Sequence, residues 1–120
     1  MSFKASVRHT GDVAIVDLEG RLTLGEGSGT LRNTLKDLIA SGDKWIVLNL
    51  QNVSHIDSSG LGEMVGAYAS VTNAGGQIRL LNTQSKIRDL LVITKLFTVF
   101  PNSTDEAAAV QSFASGAAGR

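Results

Sequence analysis

Six residues, Trp45-Ile46-Val47-Leu48-Asn49-Leu50, constrain the fold more than any others in the chain. A strand with one face in water alternates apolar and polar residues. A nearly continuous apolar run instead suits a strand covered on both faces, as in a parallel sheet. Parallel strands need helical crossovers, and the sequence supplies them. Leu31, Leu35, Leu38 and Ile39 recur at helical spacing and stop at Ser41-Gly42, where glycine suits a helix C-terminus. Leu61, Met64, Val65, Tyr68 and Val71 mark a second amphipathic helix, closed by Gly75-Gly76. A third runs through Ile87, Leu90 and Leu91, and a fourth is expected from Asp105 to Phe113.

The remaining strands follow from β-branched content and turn residues. Lys4 to His9 alternates weakly and reads as an edge strand, joined through Gly11-Asp12 to a more central strand from Val13 to Leu18. That second strand is expected to stop at Gly20, and Gly25-Glu26-Gly27-Ser28-Gly29 reads as a flexible loop. Gln77 to Leu81 is a further strand, and a brief one is expected at Thr98 to Phe100, before Pro101. Strands alternating with helices after an opening hairpin predict an α/β domain. Its mixed sheet would have four to five strands, with about four helices. With 120 residues and no dividing linker, one domain over 1–113 is expected, with a flexible small-residue tail over 114–120.

Composition removes several classes of function. Eleven basic and eleven acidic residues cancel, so nothing general attracts nucleic acid or anionic lipid. The absence of cysteine excludes disulfides, thiolate catalysis and cysteine zinc sites. The two histidines and scattered carboxylates lack metal-ligand spacing, and no cofactor is expected. Apolar runs such as Trp45–Leu48 and Leu90–Ile93 are four residues long. A membrane helix needs about 20. The opening Met1-Ser2-Phe3-Lys4 lacks the apolar core of a signal peptide. A cytoplasmic chain without membrane contact is the expectation.

One segment stands out as a candidate site. After the buried strand comes a polar connection, then Asp57-Ser58-Ser59-Gly60-Leu61-Gly62 at the start of the second helix. Asp and Ser are favoured there because their oxygens accept hydrogen bonds from unpaired N–H groups. Gly60 and Gly62 are poor helix formers, at up to about 1 kcal/mol each relative to Ala, which points to a close approach to the backbone. Ordinary capping explains the segment. So does a regulated phosphate site, because a helix N-terminus favours anions by about 0.3–1 kcal/mol. A phosphoserine adds about −1.5 to −2 charges. Physical chemistry alone leaves both readings open.

Other signals are weaker. Gly25-x-Gly27-x-Gly29 lacks the Gly-Lys-Ser/Thr ending of a phosphate-binding loop, and Glu26 would repel phosphate. Ser58 lacks the Gly-x-Ser-x-Gly setting of a hydrolase nucleophile, since His55-Ile56-Asp57 precede it. His55 reads as a solvated or capping residue and His9 as an exposed one, so no catalytic residue is assigned and no enzyme is expected. Trp45 reads as sheet packing, and Lys86, Arg88 and Lys95 as a solvated face.

Taken together, Asn49-Leu50, Ile56-Asp57-Ser58-Ser59-Gly60-Leu61-Gly62, Gly75-Gly76 before a strand, and Lys95-Leu96-Phe97 resemble the STAS domain of bacterial anti-sigma-factor antagonists. The resemblance covers nearly the whole chain. It implies phosphorylation at Ser58, the serine directly after the aspartate. Asp57, Ser59, Gly60, Leu61 and Gly62 would form the surrounding loop and partner contact. Asp57 would cap the helix, Ser59 would serve as a secondary cap or neighbouring contact, and Gly60 and Gly62 would admit the partner. The implied partners are an anti-sigma factor of the GHKL serine-kinase type and a PP2C-type phosphatase, with the antagonist monomeric in isolation. Unphosphorylated antagonist would bind the kinase and free a sigma factor; phosphorylation would end the complex. Where many antagonists have Gly-x-Leu-Asp, this chain has Gly20-Arg21-Leu22-Thr23, close to residues the family uses for partner contact. That departure leaves partner identity open, and a partner-switching pathway not directed at a sigma factor is the alternative.

Overall fold

The computed structural model describes residues 3–118. It contains β1 (Lys4–Thr10), β2 (Val13–Leu22), α1 (Glu26–Ala40), β3 (Trp45–Ile56) and α2 (Ser58–Asn73). These are followed by β4 (Gln77–Leu81), α3 (Ser85–Ile93), β5 (Asn102–Ser103) and α4 (Glu106–Ala118). The five strands form one sheet in chain order, with β1 antiparallel to β2 and every later pair parallel. The α/β domain with an opening hairpin is therefore as the sequence predicts.

Successive side chains on a strand point to opposite faces, and the core divides accordingly. Ala14, Val16, Leu18, Ile46, Leu48, Leu50, Ile78 and Leu80 face α1, α2 and α3 and meet Leu31, Leu35, Met64, Val71, Ile87 and Leu91. Val13, Ile15, Val47 and Leu81 face the other way, against Ala109 and Phe113 of α4. Helices on both sides account for the nearly continuous apolar run at the start of β3. Trp45 packs at the margin of the second layer, its ring centroid 5.9 Å from that of Phe113. Arg79 also lies on this side, its guanidinium 4.6 Å from the Phe113 ring.

Five boundaries differ from the sequence reading. β2 does not stop at Gly20: that residue takes φ +113°, open to glycine, and a register shift there lets the strand continue to Leu22. The longer β2 gives β3 a partner beyond Leu50, pairing Gly20 with Val53 and Leu22 with Ile56. The supposed polar connection is thus mostly strand.

The glycine loop is the first turn of α1, not a flexible segment. Gly25 (φ +98°) ends the connection, and buried Gly27 lies so near β2 that an added Cβ would sit 2.5 Å from the Arg21 carbonyl oxygen. Finally, β5 follows Pro101 instead of preceding it. Residues 96–100 turn tightly, with the Phe100 N–H donating to the Leu96 carbonyl at 3.3 Å and the Phe100 ring fully buried. Pro101 has no N–H to give the sheet, but its carbonyl accepts from the Leu80 N–H at 2.8 Å.

The last helix continues through 114–118, a stretch rich in the strong helix former alanine. Residues 119–120 of the expected tail lie outside the described residues.

Candidate functional site

The C-terminal ends of β2 and β3 lie side by side, and each leads directly into a helix. The N-termini of α1 and α2 therefore emerge together at one edge of the sheet. Because the parallel strands follow chain order, no strand reversal opens the crevice in which α/β sheets usually hold small ligands. What lies at this edge is a surface beside an open hollow of about 520 Å³, lined by residues that include Arg21, Thr23, Leu24, Glu26 and Ser54.

Asp57 organises it. Its backbone is extended (φ −102°, ψ −175°), as an N-cap requires, and its N–H donates to the Leu22 carbonyl at 3.3 Å. The Gly60 N–H donates to Asp57 Oδ1 at 2.9 Å. The Leu24 N–H donates to Asp57 Oδ2 at 3.0 Å. One carboxylate thus caps α2 and ties it to the β2–α1 connection. These donated hydrogen bonds, the Gly60 one foremost, hold the Asp57 carboxyl below the ordinary aspartate range.

With Asp57 filling the capping role, the following serine is released from it. Ser58 is the first helical residue, exposed, and its hydroxyl has no hydrogen-bond partner among the described residues. Ser59 is half-buried, and its hydroxyl likewise makes no cap bond. The secondary-cap role expected of Ser59 therefore does not appear.

The two glycines separate. Gly60 is buried, and a Cβ there would fall 2.0 Å from the Leu22 carbonyl oxygen. Its glycine is needed for α2 to sit on β2, so the close approach inferred for it is internal to the fold. Gly62 is exposed, and a Cβ there would meet nothing within 4 Å. Leu61 is half-buried against the main core.

Sequence reasoning missed Leu24 and Leu22. Leu24 is 79% exposed, an unusual state for a leucine fastened beside a polar motif. Nothing in its local sequence reveals this, because the tether comes from Asp57, 33 positions away. Thr23, where the sequence departs from the common pattern, accepts at its carbonyl from both the Ser28 N–H and the Ser28 hydroxyl, each at 3.0 Å. That role uses backbone and does not depend on the Thr23 side chain.

The remaining candidates lie elsewhere or are occupied. His55 Nδ1 is 3.0 Å from the Ser54 hydroxyl, and His9 Nε2 is 3.1 Å from Asp43 Oδ1. Arg88 lies over the Phe97 ring at 5.9 Å. No cluster of three or more metal-binding side chains occurs among the described residues. No helix among them is long and apolar enough to cross a membrane.

Comparison with known proteins finds relatives over most of the chain. The STAS domain model matches residues 4–109. An anti-sigma F factor antagonist of Paenibacillus polymyxa is 30% identical over 102 residues, covering 84% of this chain and 86% of the relative. An anti-sigma-B factor antagonist of Bacillus subtilis is 28% identical over 111 residues, covering 92% of this chain and all of the relative. The crystal structure of an anti-sigma factor antagonist from Mycobacterium paratuberculosis superposes with a TM-score of 0.81 at 19% identity, covering 92% of this chain and 93% of that one.

Proposed function

Since this chain belongs to the STAS domain family, we propose that it is a non-catalytic anti-sigma-factor antagonist switched by phosphorylation at Ser58. In this reading the unphosphorylated chain binds an anti-sigma factor that is also a GHKL-type serine kinase, and a sigma factor is released. The kinase transfers the γ-phosphoryl group of ATP to the Ser58 hydroxyl oxygen. The new O–P bond forms as the bond to the bridging oxygen of ADP breaks, and the serine proton leaves to the kinase. A PP2C-type phosphatase hydrolyses the ester and resets the switch.

The observation that carries this reading is the division of labour at the start of α2. Asp57 satisfies the helix N-terminus, so the neighbouring Ser58 hydroxyl is exposed and uncommitted. A phosphate there would lie at the positive end of the helix dipole and leave the cap in place. The fold would persist while about two negative charges appear on the surface. A partner surface fitted to a neutral serine would then meet an unmatched, desolvated dianion, a strongly unfavourable contact.

The test is reaction of the purified chain with its kinase and ATP, followed by mass spectrometry. One added phosphate, on Ser58, and none in Ser58→Ala is the expected result. Phosphate at another residue would refute the assignment. Ser58→Asp should also weaken kinase binding while leaving Tm nearly unchanged; a large fall in Tm would mark Ser58 as a structural residue.

A further inference from the structure

An open groove of about 640 Å³ runs between α1 and α2, floored by Leu35, Ile39 and Ala67. It follows α2 from Glu63 to Ala74, roughly 16 Å at 1.5 Å per residue. Small-molecule sites enclose most of their ligand, whereas this groove is open along its length and suits an elongated occupant.

Charge narrows the choice of occupant. Arg32 and Lys36 stand one helical turn apart on the α1 rim. Arg32 is paired with Glu63, which lies across the groove. Lys36 is exposed and has no carboxylate partner among the described residues. Two cations and one anion leave the lining with an excess positive charge, suited to a carboxylate on whatever docks there.

The α2 rim adds a second, independent argument. Gly66 lines the groove, and a Cβ at Gly66 would meet nothing within 4 Å. Packing demands Gly60, but nothing inside the fold demands Gly62 or Gly66, each of which costs about 1 kcal/mol relative to Ala in a helix. Glycine on an exposed helix lets another backbone come close. Gly66, Gly62 and Ser58 are spaced four apart along one ridge of α2, so the ridge that lines the groove at Gly66 leads back, beyond the Arg32–Glu63 pair, toward Ser58.

We infer that the α1–α2 groove receives an acidic amphipathic helix of the same protein partner that engages Ser58. Its apolar stripe would lie on the partly exposed Ile39, above the buried Leu35 and Ala67, and a carboxylate would face Lys36. This is recognition of a helix in a groove, and it rests on the reading of Ser58 given above.

The experiment uses the full chain and the GHKL-type anti-sigma kinase of the same genome. Titration calorimetry would compare the parent chain with Gly66→Leu, Lys36→Glu and Ser58→Asp. Gly66→Leu, which obstructs the groove, and Lys36→Glu should each raise Kd by about tenfold or more, with Tm held or increased. Kd values within about twofold of the parent, with Ser58→Asp still impaired, would overturn the groove and spare the switch. A kinase that neither binds nor phosphorylates the parent chain would overturn both. Should Gly66→Leu disturb folding, a photoreactive benzoylphenylalanine introduced at position 70, exposed on the groove wall, supplies the second readout. A crosslink to an acidic helix of the kinase is expected; a crosslink to a second copy, or none, would refute the inference.

Discussion

Asp57 uses both carboxylate oxygens, one on the α2 cap and one on the Leu24 N–H. Removing it in Asp57→Ala should lower stability, as loss of an N-cap does, measured as a fall in the urea midpoint. The pH dependence has a definite sign. A carboxyl held below its ordinary value in the folded state contributes stability above the unfolded pKa, near 4. That contribution is lost as pH falls through the folded pKa. The stability difference between the parent and Asp57→Asn should therefore shrink on acidification from about pH 7 to about pH 2; a constant difference would deny the charge a role. The neighbouring glycines should behave oppositely. Gly60→Ala drives a methyl into the Leu22 carbonyl and should cost about 3 kcal/mol or more. Gly62→Ala meets open space and should stabilise by up to about 1 kcal/mol. Sequence made all these residues visible as a motif, but their separate roles depended on Leu22 and Leu24, which only the fold brings beside them.

Among the elements, α4 is held differently from the other helices. It covers the smaller core layer through Ala109 and Phe113. Its start is tied to the hairpin by Arg8, whose Nη2 donates to Glu106 Oε1 at 2.6 Å while its Nε donates to Asp17 Oδ2 at 2.7 Å. Arg8 lowers the pKa of both carboxyls, and Asn49 adds a 2.8 Å hydrogen bond to Asp17. These ion pairs are substantially exposed, so they orient the helix more than they stabilise it. A double-mutant cycle on Arg8 and Glu106 should give a coupling of no more than about 1 kcal/mol. Phe113→Ala, which empties a buried site under Trp45 and Arg79, should cost about 3–5 kcal/mol. Equal costs from the two experiments would mean that charge and not burial docks α4.

For the molecule as a whole, the two faces of the sheet differ in how much helix covers them. Three helices share the larger core and one covers the smaller. Hydrogen exchange should therefore show α4 opening at lower free energy than β2, β3 and β4, which should exchange only through global unfolding. Equal protection throughout would refute that hierarchy. The larger layer was legible in the sequence, because helical spacing and the apolar run of β3 require partners on both faces of a parallel sheet. The candidate site was legible as a place, since Asp57-Ser58-Ser59-Gly60 marks a helix start by local chemistry alone. Boundaries that depend on a distant neighbour were not legible. The extension of β3 required the bulge at Gly20, and the early start of α1 required Gly27 to rest on β2. Local sequence thus determined the periodicities, the caps and the polar motif, all set by interactions within a few residues. Tertiary structure decided that the capping carboxylate also holds the β2–α1 connection and that Gly60 must be glycine, because both answers come from backbone groups of β2 and its following connection, more than 30 positions away in the chain.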